Sequence, residues 1–144
     1  SSTWIREEIK KGNIAFANSL MGRPYFFTGQ VMYGKQIGKT IGFPTANLIP
    51  DPSKLLPPKG VYVSTVEVDG KTYPAVTNVG LNPTVEGAFV TVEAHILDFD
   101  ENIYDKVITI FLYQFLRPEL RFDNLEALKE QIAIDLKRVQ DTIN

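Results

Sequence analysis

"VYVSTVEVDGKTYPAVTNV", residues 61–79, alternates β-branched and polar side chains on both sides of Asp69-Gly70. An Asp-Gly pair between two such runs supplies the positive φ angles of a tight hairpin turn, so the stretch predicts two antiparallel strands. Outward from it, the chain from Tyr25 to about Phe115 is a series of β-branched and aromatic runs cut by Gly, Pro, Asn and Asp. That spacing belongs to an antiparallel sheet or barrel, with further strands expected at 25–33, 90–99 and 107–116. Both ends of the chain have a different period. Trp4, Ile5 and Ile9 follow a helical pattern broken at Gly12-Asn13, where Asn13 is placed to cap a short second helix ending at Gly22. After "RPELRF" (117–122), Leu125, Leu128, Ile132, Leu136, Val139 and Ile143 fall on one helical stripe, and Asp123 with Glu126 forms a capping-box-like start. The expected fold is therefore mainly β: a barrel with short N-terminal helices and a C-terminal helix laid on its outside.

With 144 residues, 44% of them hydrophobic, the chain is long enough for one ordinary core and too short for two full domains. Its 15 basic and 17 acidic residues are mixed along the chain, leaving a net charge of −2 and no electrostatic reason to expect a nucleic-acid or acidic-membrane partner. The absence of cysteine removes disulfides, thiolate nucleophiles and sulfur-bound zinc, as suits a reducing compartment. No apolar run approaches the roughly 20 residues of a spanning helix, so the expected location is the cytoplasm.

Chemistry concentrates in "GKQIGKTIGFPTAN", residues 34–47. The Gly-Lys-Thr at 38–40 suggests a P-loop, but that motif needs four residues between its first glycine and the Gly-Lys-Ser/Thr, and Gly34 leaves only three. Gly42 and Pro44 would also interrupt the helix that must follow. What remains is a glycine-rich, lysine-bearing loop whose exposed N–H groups are suited to closing over phosphates, or alternatively a plain surface loop. Thr45 and Asn47 discriminate between these. If "FPTANLI" begins a strand, alternation puts both on one face, where a hydroxyl and an amide oxygen are hard neutral ligands for a Mg²⁺ whose remaining positions are filled by water and phosphate oxygens. Two neutral ligands bind such an ion poorly alone, so the metal is expected to arrive with ATP. The competing reading is that they only satisfy turn hydrogen bonds beside the proline.

In "VTVEAHILDFD" (90–100), Val92, Ala94 and Ile96 alternate with Thr91, Glu93 and His95. Glu93 is thus on the polar face of a strand, either as a solvated carboxylate or as a general base for a hydroxyl held within hydrogen-bond reach. His95 shares that face. As the only histidine in a chain without cysteine it cannot head a zinc site, and it reads as a structural neighbour.

These stretches resemble the riboflavin kinase domain of the bacterial bifunctional FAD synthetases. The likeness runs through "FTGQVMYGKQIGKTIGFPTANL", "GVYVSTVEVDGKTYPAVTNVGLNPT", "VEAHILDFDENIYDK" and "LRPELRF", from about residue 23 to the end, and Gly-Phe-Pro-Thr-Ala-Asn is its most specific element. The resemblance implies a six-stranded antiparallel, Greek-key-like barrel and transfer of the γ-phosphate of ATP to the 5′-hydroxyl of riboflavin, giving FMN and ADP. It implies further that Thr45 and Asn47 are the Mg²⁺ and phosphate pair, and that Glu93 is the catalytic base. Gly34, Lys35, Gly38, Lys39, Thr40, Gly42 and Pro44 would form the nucleotide-binding loop, with Arg117, Glu119 and Phe122 in the flavin-side segment. The aromatic-rich segments around Phe99, Tyr104 and Phe122 are candidates to line a flavin slot or to be plain core.

The chain departs from the family's usual pattern at Asn82-Pro83-Thr84-Val85, where Arg-Pro-Thr-Phe is more common, and at Tyr104-Asp105, where Tyr-Gly is. The first change removes a forked cation. The second requires a turn that tolerates a side chain. "SSTWIR" at the start resembles an element near the end of the adenylyltransferase half of the bifunctional enzymes, so residues 1–22 are expected to be a helical remnant or linker preceding a kinase domain at 23–144. On that reading the missing half would convert FMN to FAD. A non-catalytic flavin- or nucleotide-binding module is the rival from another class, and it has no use for a metal pair and a base together. An oligonucleotide-binding barrel is disfavoured by the charge balance and the lack of a basic face with interleaved aromatics.

Overall fold

The computed structural model describes residues 2–32, 45–84 and 87–143. Two short helices, α1 (Ser2–Lys11) and α2 (Ile14–Met21), precede the strands β1 (Tyr25–Gln30), β2 (Thr45–Leu48), β3 (Gly60–Val68), β4 (Lys71–Thr84), β5 (Gly87–Ile96) and β6 (Val107–Arg117), and α3 (Leu125–Ile143) follows. The strands form one antiparallel sheet in the order β1-β6-β3-β4-β5-β2. The sheet is curled into a half-barrel: beyond β1, the Met32 N–H donates to the Asn47 carbonyl at 2.8 Å, so the first strand's continuation reaches the strand at the opposite edge. The mainly-β fold with flanking helices is thus the one the alternation and turn residues predict.

The central hairpin forms as its turn chemistry requires. Val68 pairs with Lys71, and Asp69 and Gly70 adopt φ of 52° and 76°. Other strand ends differ from expectation. The first strand stops at Gln30 rather than 33, and β5 runs from 87 to 96 rather than 90 to 99. The Leu97 N–H donates to the Pro74 carbonyl at 2.9 Å, and Asp98 at φ 52° turns the chain out of the sheet. Asp105, where glycine is more usual, is at φ 69°, so the turn does hold a side chain in the left-handed region.

β3 is buried at nearly every position because apolar matter covers both of its faces. Inside the curl, Tyr62 and Val66 join Val79, Val92, Ala94, Ile110 and Phe27, and the N-terminal helices add Ile9, Ile14 and Ala17. Outside it, Val61, Val63 and Val76 pack against Ile132, Leu136 and Val139 of α3. Asn18 ties α2 to the sheet: its side chain accepts from the Tyr25 N–H and donates to the Leu112 carbonyl, both at 2.8 Å. The Tyr25 hydroxyl donates to the Leu55 carbonyl, and burial pushes its pKa up to about 12, so it stays a donor.

Both expected helix caps are corrected. The α3 cap is Asn124, whose Oδ1 accepts from the Ala127 N–H at 2.8 Å; Glu126, three residues after Asp123, is therefore one position too early to complete a box with the actual cap. Asn13 occupies the N-cap position of α2 but makes no side-chain cap bond, because its Nδ2 donates to Glu8 at 2.7 Å. The α3 stripe is buried only along its middle, and Leu125 and Ile143 at its ends are exposed.

Gly60, which opens β3, admits no other residue comfortably. Its φ is 148°, and a Cβ there would lie 2.6 Å from the Phe115 ring and 2.8 Å from the Arg117 carbonyl oxygen. Gly60→Ala is expected to destabilise the fold by at least about 2 kcal/mol through backbone strain and overpacking. Thermal unfolding followed by circular dichroism checks this; an unchanged midpoint would refute it.

Candidate active site

With Val92, Ala94 and Ile96 committed to the core, β5 turns Thr91, Glu93 and His95 toward the outer face, the one on which α3 packs. Pairing then gathers residues distant in sequence. Glu93 lies opposite Asn78 of β4 on one side and Asn47 of β2 on the other, while His95 lies between Val76 and Thr45. Directly paired residues share a face, so Thr45, Asn47 and Glu93 stand together on the outer surface of the sheet. Glu93 Oε1 is 3.2 Å from His95 Nε2, and the Glu93 side chain is 35% exposed against 12% for His95.

A cavity of about 360 Å³ opens between this face and α3. Val61, Val76, Asn78, Glu93 and His95 form its floor, Arg117, Glu119, Leu120 and Phe122 one wall, and Leu128, Ile132 and Asp135 the α3 side. The volume lies within the range of roughly 300–1,000 Å³ typical of small-molecule sites, and the mixture of apolar lining with a few convergent polar groups has the same character.

An ion pair holds this cavity's frame. Arg117 at the end of β6 donates from Nη2 to Asp135 Oδ2 at 2.7 Å and from Nε to both carboxylate oxygens at 3.1 and 3.2 Å. Gln131 donates to Asp135 Oδ1 at 2.9 Å, and Arg117 Nη1 to the Pro118 carbonyl at 3.1 Å. Asp135 is wholly buried. Its bidentate arginine and the Gln131 amide replace the water it has lost. Across the cavity, the Glu119 carboxylate lies over β4 at Gly80, with Oε1 2.9 Å from where a Cβ would stand. A larger residue at Gly80 would displace it.

Of the residues singled out from sequence, Glu93, Arg117, Glu119 and Phe122 all border the cavity. Thr45 and Asn47 sit one strand beyond Glu93, outside the described wall. Gly34, Lys35, Gly38, Lys39, Thr40, Gly42 and Pro44 lie outside the described residues, as do the side chain of Asn82 and all of Val85. Phe99 is core: it is buried against Tyr73 with ring centroids 4.8 Å apart. Tyr104 is largely exposed and not in the described wall. Sequence reasoning passed over Asn78, Gly80 and Asp135. Only Asp135 left a usable signal, a charged residue three positions after Ile132 on the buried stripe of α3.

Comparison with known proteins gives a consistent answer. The riboflavin kinase (Flavokinase) family profile matches residues 21–143. Bifunctional riboflavin kinase/FMN adenylyltransferases from Escherichia coli strain K12 and Bacillus subtilis strain 168 are 42% and 39% identical over 94% of this chain, which spans 43% and 44% of their lengths. The chain thus covers less than half of the curated relatives it matches. A crystal structure of riboflavin kinase from Trypanosoma brucei superposes with a TM-score of 0.56 at 29% identity, covering 83% of this chain and 80% of that one. A Streptococcus pneumoniae protein described as a macrolide-efflux protein superposes more closely, with a TM-score of 0.90 at 36% identity, covering 97% of this chain and 46% of that one. No helix among the described residues is long and apolar enough to cross a membrane. The family profile covers most of the chain, the bifunctional relatives agree with it, and this chain belongs to the riboflavin kinase family.

Proposed function

We propose that the chain transfers the γ-phosphoryl group of ATP to the 5′-hydroxyl of riboflavin, releasing FMN and ADP, with Glu93 as the general base. The observation that carries this reading is the position of Glu93. It borders a cavity of small-molecule size on one side, and on the other it pairs with the strand bearing Thr45 and Asn47. Flavin in the cavity and nucleotide over β2 would meet at that carboxylate.

Phosphoryl transfer asks a protein chiefly to align nucleophile and leaving group and to neutralise developing charge. Glu93 would orient the ribityl hydroxyl and accept its proton. The 34–44 loop, with Lys35 and Lys39, would close over the phosphates. Thr45 and Asn47 fit a Mg²⁺ brought by ATP, because they offer hard oxygen donors on the face of Glu93. Among the described residues no group of three or more His, Asp or Glu side chains offers the ion a site of its own. When bound, the ion would neutralise phosphate charge. Phe122, Leu128 and Ile132 would cover the flavin ring. The upstream half present in the bifunctional relatives would supply FMN adenylylation, an activity not expected of this chain alone.

The test is incubation of the chain with riboflavin, ATP and Mg²⁺, with FMN followed by chromatography beside an EDTA-treated sample. FMN and ADP are expected in equal amounts, and neither with EDTA. A folded chain that binds riboflavin yet forms no FMN would instead favour a binding module.

A further inference from the structure

The sequence assigns His95 no role beyond that of a neighbour, yet it is the one described residue in direct polar contact with the Glu93 side chain, Nε2 to Oε1 at 3.2 Å. Glu93 and His95 are two apart on one strand, so their side chains leave the same face side by side, and the contact requires Glu93 to lean along the strand toward His95. Free of that contact, a half-exposed glutamate has several staggered rotamers open to it, including ones directed toward Thr91 or Asn47.

His95 is itself held firmly. It is largely buried between Val76 and Thr45 in the register of the sheet, with its Nδ1 buried and without a hydrogen-bond partner among the described residues. A neutral imidazole can present a proton to the carboxylate only as the Nε2–H tautomer; the alternative would set a nitrogen lone pair against the carboxylate oxygen. Oε1 of Glu93 is thereby engaged, and Oε2 is the oxygen left for an incoming hydroxyl.

We infer that His95 is a positioning residue: its Nε2–H fixes the rotamer of Glu93 so that Oε2 faces the phosphoryl-acceptor hydroxyl. The inference rests on Glu93 being the general base and deepens that reading. His95 touches no substrate atom in this scheme and acts only through the carboxylate. It takes up no proton and needs no co-reactant.

The test is a kinetic double-mutant cycle on the 144-residue chain, with riboflavin and Mg-ATP varied separately. His95→Leu keeps the volume but deletes the donor; His95→Asn keeps an amide too short to reach; His95→Gln restores a donor at about the right length. The first two are expected to lower kcat by about 10- to 100-fold with KM for both substrates within about 3-fold of the parent, and His95→Gln to recover most of the loss. In a Glu93→Gln background, His95→Leu should cost nothing further. Thermal unfolding identifies any variant that does not fold, and either His95→Leu or His95→Asn suffices if the other is lost. Parent-like kcat in His95→Leu or His95→Asn, or the same fold-loss with and without Glu93, would overturn the inference. If Glu93→Gln alone retains full kcat, the general-base reading fails first, and that result is distinguishable from a failure at His95.

Discussion

Glu93→Gln is expected to lower kcat for FMN formation by about 10²–10⁴, the usual contribution of a positioned general base, while KM for riboflavin and for ATP changes only a few-fold. Glutamine keeps the size and the capacity to accept a hydrogen bond but cannot take a proton. The substitution should leave the fold intact, because the Glu93 side chain is about one-third exposed and outside both apolar clusters. Single-turnover measurements separate the chemical step from product release, and the deficit is expected in the former. A kcat within about 3-fold of the parent would show that positioning and charge neutralisation suffice without a base, as they can in phosphoryl transfer.

The second large effect concerns stability. Asp135→Ala should lower the unfolding free energy by about 3–5 kcal/mol, since it leaves the Arg117 guanidinium largely buried and without its carboxylate. Replacing both partners together, as Arg117→Met with Asp135→Leu, is expected to recover most of that loss, because two apolar side chains can fill the site without stranding a charge. The double variant would still lack the cation bordering the cavity, so riboflavin affinity, measured by fluorescence quenching, separates the frame from the site. Urea melts of the single variants are the check. A loss below about 1 kcal/mol for Asp135→Ala would mean that Arg117 finds water or another acceptor at little cost.

Much of the fold was legible because its causes are local. Asp69-Gly70 can hardly be anything but a hairpin turn between its flanking runs, and the parity of Val92, Ala94 and Ile96 against Thr91, Glu93 and His95 settles which way Glu93 points. The misreadings have equally specific causes. The run from 90 to 99 looks continuous, but the bond from Leu97 to Pro74 and the left-handed Asp98 end the strand at Ile96 and send Phe99 into the core. Asp123 and Asn124 are both competent caps, and geometry chose Asn124.

By itself, the sequence determined the strands and helices, the polar and apolar faces, the family resemblance, and three candidate chemical residues, Thr45, Asn47 and Glu93. The elements, their faces and the candidate residues follow from periodicity, turn dihedrals and side-chain chemistry within short windows, and the resemblance rests on the likeness of whole motifs such as Gly-Phe-Pro-Thr-Ala-Asn. Only the tertiary structure decided that β5 runs between β2 and β4, and so that Thr45 and Asn47 join Glu93 on one face. It alone paired Arg117 with Asp135, laid Glu119 over Gly80 and opened the cavity beneath α3. Strand order and charge pairing join residues far apart in the chain. They are set by how the whole sheet curls and which apolar faces it covers, and no short window of sequence carries that information.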